Sequence, residues 1–268
     1  MKRLVLIVGV LIASAGVALS AAPGMKKKKP KPYEYGNVTI NNFSSQAGLN
    51  PVLFEHWVHR GKFTCRLCHV DIGFGMKAGE TKMKAADNAK GYFCGACHNG
   101  KTTFGETRVF ESCSSQFTKE DVKRCERCHS GGKNVARREQ EFTKLAERLP
   151  KERYGNGINW EKAESDGLIK PIDYLEGVSI KKPPLADQKE FTIGSKTEGV
   201  PDIIFSHKKH TVWNGCEVCH PDIFIGVKRG TDKYSMVELF EGKYCGACHD
   251  LVAFPQIDCQ RCHNTPVK

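Results

Sequence analysis

Apolar residues are spread unevenly along the chain, and only three stretches show a clear pattern. The first is the apolar run of residues 4–19, which follows a basic start and ends in small residues. This is the layout of a secretory signal peptide over residues 1–22. Because the run of about 16 residues is shorter than the roughly 20 of a membrane-spanning helix, we predict an exported chain, with an uncleaved anchor as the alternative.

The second stretch has helical spacing. Between residues 136 and 149, Phe142, Leu145, Ala146 and Leu149 fall on one face of a helix, and a proline follows. This pattern predicts an amphipathic helix.

The third stretch predicts a shorter helix from Trp160 to Asp166, which Gly167 ends. The rest of residues 136–200 is irregular and contains several prolines, so we expect it to wrap one part of the protein or link two parts. Alternating strand patterns are almost absent, and glycine is frequent. The predicted fold class is therefore mostly irregular with a few short α-helices.

Cysteine and histidine carry the main chemical signal. The chain has 13 Cys and 10 His, and the sequence Cys-x-x-Cys-His occurs six times. In this motif two thiols bind the vinyl groups of a haem covalently, and the histidine binds the iron. We number the motifs as haem sites 1 to 6 in chain order. Their cysteines are Cys65 and Cys68, Cys94 and Cys97, Cys125 and Cys128, Cys216 and Cys219, Cys245 and Cys248, and Cys259 and Cys262, followed by the motif histidines His69, His98, His129, His220, His249 and His263.

Zinc binding by Cys-x-x-Cys pairs is the main alternative. A histidine occupies a given position of this chain with a chance of about 0.04, so finding one after all six pairs by accident is on the order of one in a billion. The motifs therefore indicate six covalent c-type haems. Cys113 lies outside them, and we expect a free or buried thiol there, with an intermolecular disulfide as the alternative.

The chain also repeats itself with an offset of 151 residues. Residues 54–98 match residues 205–249 without a gap, which predicts two copies of one structural unit. The third motif breaks the register because the first copy has 17 more residues before it. We divide the chain into a signal peptide at 1–22, a basic tail at 23–49, trihaem module 1 at 50–135, a connector at 136–200 and trihaem module 2 at 201–268.

Four histidines lie outside the motifs and form two His-x-x-His pairs: His56 with His59, and His207 with His210. Each pair lies at the same distance before the first motif of its module. Residues three apart on a helix share a face yet diverge enough to reach different partners. We predict that each of these paired histidines is the distal ligand of a separate haem, with a structural His pair as the alternative.

One iron in each module still lacks a distal ligand. Methionine is the natural candidate, because its thioether is a soft iron ligand. Met236 is the candidate in module 2. In module 1 the choice lies between Met83 and Met76, since Ala85 occupies the position that corresponds to Met236.

Net charge gives little support to nucleic-acid binding. The formal charge is +11, but each oxidised haem adds about −1 through its two propionates and ferric core. The basic run Lys26 to Lys29 is expected to be solvated, with peripheral association with an anionic membrane as the alternative.

The order Phe-x-His-x-x-His followed by three Cys-x-x-Cys-His motifs resembles the class III multihaem cytochromes, specifically the trihaem cytochrome c7 relatives of cytochrome c3. The resemblance covers residues 50–130 and 203–265 and implies two modules with a haem-cored fold. It further implies that the first paired histidine serves the first haem and the second serves the second haem. The implied ligand pairs are His56 with His69, His59 with His98, His207 with His220, His210 with His249, Met236 with His263, and Met83 with His129.

The function that we expect is electron transfer rather than catalysis. The partners would be other redox proteins, such as cytochromes, quinol-oxidising membrane complexes or terminal reductases, in the periplasm. A reductase that uses an open haem at His129, or a subunit docked in a larger membrane or extracellular complex, is the alternative. Because small modules bury little apolar surface of their own, we expect the protein without haem to be largely unfolded.

Overall fold

Short helices and hairpins joined by irregular segments make up the fold. The computed structural model describes residues 29–114, 121–131, 133–183, 189–226, 230 and 233–265. The predicted signal peptide and Lys26 to Lys28 lie outside the described residues. Across these ranges, no helix is long and apolar enough to cross a membrane.

The helices are α1 (His56–Arg60), α2 (Ala85–Ala89), α3 (Val122–Cys125), α4 (Val135–Ala146), α5 (Trp160–Ser165), α6 (His207–Asn214), α7 (Met236–Phe240) and α8 (Cys259–Cys262). The strands are β1 (Asn37–Ile40), β2 (Val52–Glu55), β3 (Thr103–Phe104), β4 (Thr107–Arg108), β5 (Phe191–Ile193) and β6 (Ile203–Phe205). The fold class predicted from the sequence is confirmed.

The two helices predicted in the connector are present. Helix α4 begins at Val135, one residue earlier than predicted, and ends at Ala146, three residues earlier than predicted. Its Phe142 is buried, as expected. Helix α5 begins at the predicted Trp160, where the side chain of Asn159 accepts a hydrogen bond from the backbone N–H of Lys162. This contact satisfies one of the free amides in the first turn and explains the sharp start.

Among the described residues, three antiparallel hairpins were missed by the sequence analysis. Strand β1 pairs with β2, placing Asn37 opposite Glu55, and β5 pairs with β6, placing Phe191 opposite Phe205. Both hairpins end just before a His-x-x-His pair. Strands β1 and β5 lie in the predicted tail and connector, so each module is completed by a strand from the preceding segment. The exact module boundaries stay a prediction.

A side-chain core joins the two modules. Trp57 comes from α1 in module 1 and Trp213 from α6 in module 2, while the connector supplies most of the rest. The rings of Trp57 and Phe142 meet edge to face at 5.3 Å. Each large apolar side chain that is fully buried contributes about 1.5–3 kcal/mol. The buried members are Tyr33, Trp57, Phe142, Leu149, Ile158, Trp160, Ala163, Ile169 and Trp213.

Ion pairs also attach the connector to both modules. One of them involves Arg66, a buried residue whose Nη2 lies 3.0 Å from Oδ2 of Asp173. The connector therefore builds a core of side chains and charges in addition to the predicted haem core. The connecting pairs are Arg138 with Glu55 and Asp173 with Arg66 on module 1, and Lys182 with Glu217, Glu152 with Arg261, and Glu161 with both Lys209 and Arg261 on module 2.

Candidate haem sites

One continuous cavity of about 3000 Å³ runs through both modules. All twelve motif cysteines, all six motif histidines and all four paired histidines line it. A pocket for a single drug-sized ligand spans about 300–1,000 Å³, and protein interiors are otherwise close-packed. The size of the cavity and the donors on its wall therefore fit several covalently bound macrocycles.

In each module, one phenylalanine orients the two paired histidines. At the end of β2, the ring of Phe54 stacks on His59 with a centroid distance of 4.5 Å and an interplanar angle of 26°. The same ring meets His56 at 4.8 Å and 88°. The two imidazoles consequently point in different directions from one turn of helix. In module 2 the corresponding values are 4.5 Å and 21° for Phe205 with His210, and 5.0 Å and 86° for Phe205 with His207.

In both modules the second paired histidine faces the second motif histidine. The ring centroids are 6.3 Å apart for His59 and His98, and 6.4 Å apart for His210 and His249. A metal–imidazole bond is about 2.0 Å long, so two bonds on opposite sides of a metal, together with the two ring radii, need roughly 6 Å. The observed spacing fits one iron between each pair of rings.

Two protein ligands per iron is the number that a six-coordinate haem takes from a protein. Among the described residues, no three His, Cys, Asp or Glu side chains cluster around one point as they would at a zinc knuckle.

Hydrogen bonds to main-chain carbonyls fix the orientation of nearly every imidazole. When Nδ1 donates to a carbonyl, Nε2 keeps its lone pair for a metal. The paired residues His56, His59 and His210 have their Nδ1 within 2.6–3.2 Å of such an oxygen. All six motif histidines do as well, at 2.6–3.3 Å from the carbonyls of Phe74 for His69, Phe110 for His98, Asn50 for His129, Phe224 for His220, Phe254 for His249 and Pro201 for His263.

Burial keeps three of these imidazoles neutral. It lowers the pKa of His59 to about 3 and the pKa values of His56 and His249 to about 4. Desolvation disfavours the charged form of histidine, which explains the direction of the shift. A neutral imidazole is the form that ligates iron.

The second motif of each module needs its glycine for space. A Cβ atom at Gly95 would lie 1.8 Å from the carbonyl oxygen of Asn88, and one at Gly246 would lie 2.0 Å from the carbonyl oxygen of Leu239. Helices α2 and α7 therefore end directly against the haem-attachment turn. This contact explains why Cys-Gly-Ala-Cys-His occurs in both copies.

The surroundings of the third haem differ between the modules. Met236 is the first residue of α7, lines the cavity and is 42% exposed. Helix α2 begins at Ala85 instead, and the half-buried Met83 lies two residues before it on the cavity wall. The assignment of Met236 and Met83 as ligands stays a prediction.

Two further pairs of residues escaped the sequence analysis. Phe110 and Phe254 pack on the motif histidines of sites 2 and 5 at 4.4 and 4.3 Å. Arg127 and Arg261 in turn cover these rings, each at 4.5 Å. Each arginine lies two residues after the first cysteine of the third motif in its module. A comparison of the two motif sequences could therefore have found this pair. The phenylalanines lie at different distances from their motifs because of the insertion.

Cys113 is half-buried and lies on the cavity wall. Its Sγ is 3.9 Å from Nδ2 of Asn88, and burial raises its pKa. Its surroundings therefore favour the thiol over the reactive thiolate.

Comparisons with known proteins identify the family. The family model described as cytochrome c7 and related cytochrome c matches residues 52–139 and 203–264. A c7-type three-heme cytochrome domain is 36% identical over 29% of this chain and 95% of its own, with a TM-score of 0.27. The C-terminal hexaheme fragment of GSU1996 is 24% identical over 86% and 98%, with a TM-score of 0.26. Dodecaheme cytochrome c GSU1996 is 24% identical over 90% and 76%, with a TM-score of 0.26.

No curated protein is significantly similar to the chain. The family match covers more than half of the sequence and both repeats of the motif pattern. The chain therefore belongs to the cytochrome c7 family and is a multihaem c-type cytochrome.

Proposed function

We propose that the chain binds six haems and carries electrons between redox partners outside the cytoplasm. The observation that supports this most strongly is the single cavity, because twelve motif cysteines and ten histidines share its wall. Haem supplies a reversible one-electron couple, and the protein supplies the ligands and the apolar surroundings. An iron with imidazole on both sides has no open position for a substrate, which favours a carrier over a catalyst.

The facing imidazoles support the ligand scheme at two sites directly. His59 and His98 would hold the iron of site 2, and His210 and His249 would hold that of site 5. For site 1, His69 is close enough to His56 to influence its pKa. The repeat extends this arrangement to His207 and His220 at site 4, while Met236 and Met83 would complete sites 6 and 3.

Attachment cysteines of neighbouring sites lie near one another along the protein, which supports a route for electrons. The attachment sulfurs of adjacent sites lie within electrostatic range of one another, both inside each module and between modules. The route would run from site 3 through sites 2 and 1, then across to sites 4 and 5, and on to site 6. The thiol pairs in which one thiol raises the pKa of the other are Cys94 with Cys128, Cys68 with Cys94 and Cys97, Cys65 with Cys219 and Cys248, and Cys245 with Cys262.

The periplasm is the proposed location. The predicted signal peptide supports export, and covalent haem attachment takes place outside the cytoplasm. The proposed partners are other redox proteins that meet an exposed haem edge. Their identity would follow from the potentials of the terminal sites.

Mass spectrometry and spectroscopy of the mature holoprotein test the proposal. We expect the mass of six haems and a low-spin spectrum in the oxidised state. A high-spin signal that shifts with cyanide or nitrite would instead identify an open site, at His129 first, and favour a reductase. Reduced holoprotein that passes no electrons to any redox protein or dye would contradict a carrier function.

A further inference from the structure

The first haem site of each module has a charged residue directly after its first cysteine, and the two charges are opposite. Site 1 has Arg66 at this position, and site 4 has Glu217. The connector supplies the complementary charge in each case, because Asp173 pairs with Arg66 and Lys182 pairs with Glu217. One short segment, residues 173–182, therefore binds the first motif of both modules.

The ion pair at site 1 is enclosed and well oriented. Arg66 is only 3% exposed, and its Nε and Nη2 donate to the carboxylate of Asp173 at 3.0–3.3 Å. Nη2 also donates to the backbone carbonyl of Asp173 at 2.6 Å, and Nη1 donates to Asp71 at 2.8 Å. Beside them, the backbone N–H of Thr64 donates to the carbonyl of Ile172 at 3.1 Å. A guanidinium that meets a carboxylate with two N–H groups has a fixed orientation.

The same arginine lies against the start of site 4. Gly215 directly precedes the first cysteine of that site, and a Cβ atom there would lie 2.5 Å from Cδ of Arg66 and 2.7 Å from Oε2 of Glu217. Its φ of 59° and ψ of −156° are open essentially to glycine alone, which allows this close approach. The attachment cysteines lie near one another as well, because Cys65 raises the pKa of Cys219. Sites 1 and 4 are therefore attached to the chain at neighbouring points.

We propose that the two connector ion pairs hold sites 1 and 4 together for electron exchange between the modules, with Arg66 and Glu217 as the positioning residues. The inference rests on the proposed function. In this exchange a ferrous iron gives one electron to a ferric iron, and no bond is made or broken. Like charges would meet if the two connector residues exchanged partners, so the charge pattern also determines which residue binds which module.

Redox interaction between the two sites measures how closely they are held. Oxidation of one iron disfavours oxidation of a nearby iron, and NMR during a redox titration resolves this coupling factor for each pair of haems. The side chain of Asp173 is 54% exposed, so Asp173→Asn removes its charge without burying a new group. We expect this variant to lower the factor for sites 1 and 4 about twofold, because Coulomb coupling weakens with distance. Factors within each module should be unchanged, which separates positioning from a general loss of stability.

A control and a charge exchange sharpen the test. Asp166→Asn removes an ion pair with Lys162 that lies within α5, and it should keep the wild-type coupling factor. At site 4, Lys182→Glu should lower the factor. Lys182→Glu combined with Glu217→Lys should restore it, since both side chains are partly exposed and can exchange their charges.

The inference is overturned if Asp173→Asn and Lys182→Glu bind six haems and keep the wild-type coupling between sites 1 and 4. That result leaves the carrier function intact. Failure of the combined variant to restore a coupling that Lys182→Glu has lost would also overturn it. Holoprotein that cannot be reduced and reoxidised would instead contradict the function itself.

A measurement on the wild type covers the case in which the variants do not mature. The backbone N–H of Thr64 bonds to Ile172 and that of Ile172 bonds to Lys62, so both report on the contact between the connector and site 1. In hydrogen exchange of the holoprotein, these two amides should be protected as strongly as that of the buried Ala163 in α5. Exchange at the rate of an unprotected amide would overturn the inference.

Discussion

The two modules agree closely at their first two haem sites and differ at the third. In both, a hairpin presents a phenylalanine that orients two imidazoles, and the spacing of the facing rings differs by only 0.1 Å. At the third site, module 1 has Ala85 where module 2 has Met236, and its insertion adds the β3–β4 hairpin. Local geometry that depends on a few adjacent residues has thus been retained, whereas the third site has changed.

The insertion nevertheless preserves one long-range contact. Phe110 and Phe254 reach equivalent positions against a motif histidine although their distances along the chain differ. The position of each phenylalanine is thus set by packing against the imidazole rather than by its distance along the chain. Substitutions at matched positions of the two modules can therefore separate what is common from what is specific.

Removal of one attachment site should have the largest effect. Replacing both Cys245 and Cys248 by alanine should leave the protein one haem lighter and unfold most of module 2, because the macrocycle fills the cavity there. The same change at Cys94 and Cys97 should affect module 1 equally. Mass spectrometry and near-UV circular dichroism measure both results. Cys113→Ala, the control, should keep every haem, and a missing haem in that variant would contradict the assignment of the motifs.

Substitution of the glycine in the second motif should have the next largest effect. Gly95→Ala and Gly246→Ala place a methyl group against a helix carbonyl and should each lower the free energy of unfolding of the holoprotein by about 3 kcal/mol, since overpacking displaces the helix. Denaturant unfolding measures this loss. The matched control is Gly194→Ala, where the nearest atom is 4.0 Å away and the loss should be small. If Gly246→Ala leaves the free energy of unfolding unchanged, helix α7 can move away from the second motif without loss of stability.

Exchanging the residues that begin α2 and α7 tests the third site. Met236→Ala should convert one haem to a high-spin or water-ligated form, because the thioether ligand is lost. Ala85→Met should leave the potential of site 3 nearly unchanged, because Met83 would already supply a thioether to that iron. Electron paramagnetic resonance and redox titration measure the two effects. An unchanged spectrum of Met236→Ala would exclude this methionine as the ligand.

Substitution of the phenylalanine that orients the paired histidines should have the smallest effect. Phe54→Leu and Phe205→Leu should each lower the free energy of unfolding by about 1 kcal/mol, which is the contribution of one aromatic pair. Each should also broaden the electron paramagnetic resonance signal of the bis-histidine iron. Equal effects would support a shared geometry for both modules. A loss confined to one module would show that its imidazoles are held by other contacts.

Sequence patterns were sufficient wherever adjacent residues carry the chemistry. The six motifs, the His-x-x-His pairs and both connector helices depend on local spacing, and the predictions of fold class and family are confirmed. The hairpins were missed because strands of two to four residues are too short to establish an alternating pattern. Strand β1 also lies outside the repeated residues 54–98, which include part of its partner β2.

Contacts between distant segments could not be predicted from spacing. Asp173 lies in an irregular stretch and gives no sign that it will meet Arg66. Arg60 resembles an ordinary surface residue at the end of a short helix until Trp160 and Trp213 are placed on either side of it. Such contacts arise from the packing of three segments, and only coordinates reveal them.

The carbonyl partners of the third motif histidines bear on the order of events during synthesis. His129 bonds to Asn50 and His263 bonds to Pro201, so each histidine closes onto a segment upstream of its own module's first motif. Domains fold as units from the N-terminus as the chain emerges. Once its haems are attached, module 1 can thus close without module 2, whereas the packing around Trp160 must wait for Trp213. The joint between the halves forms last.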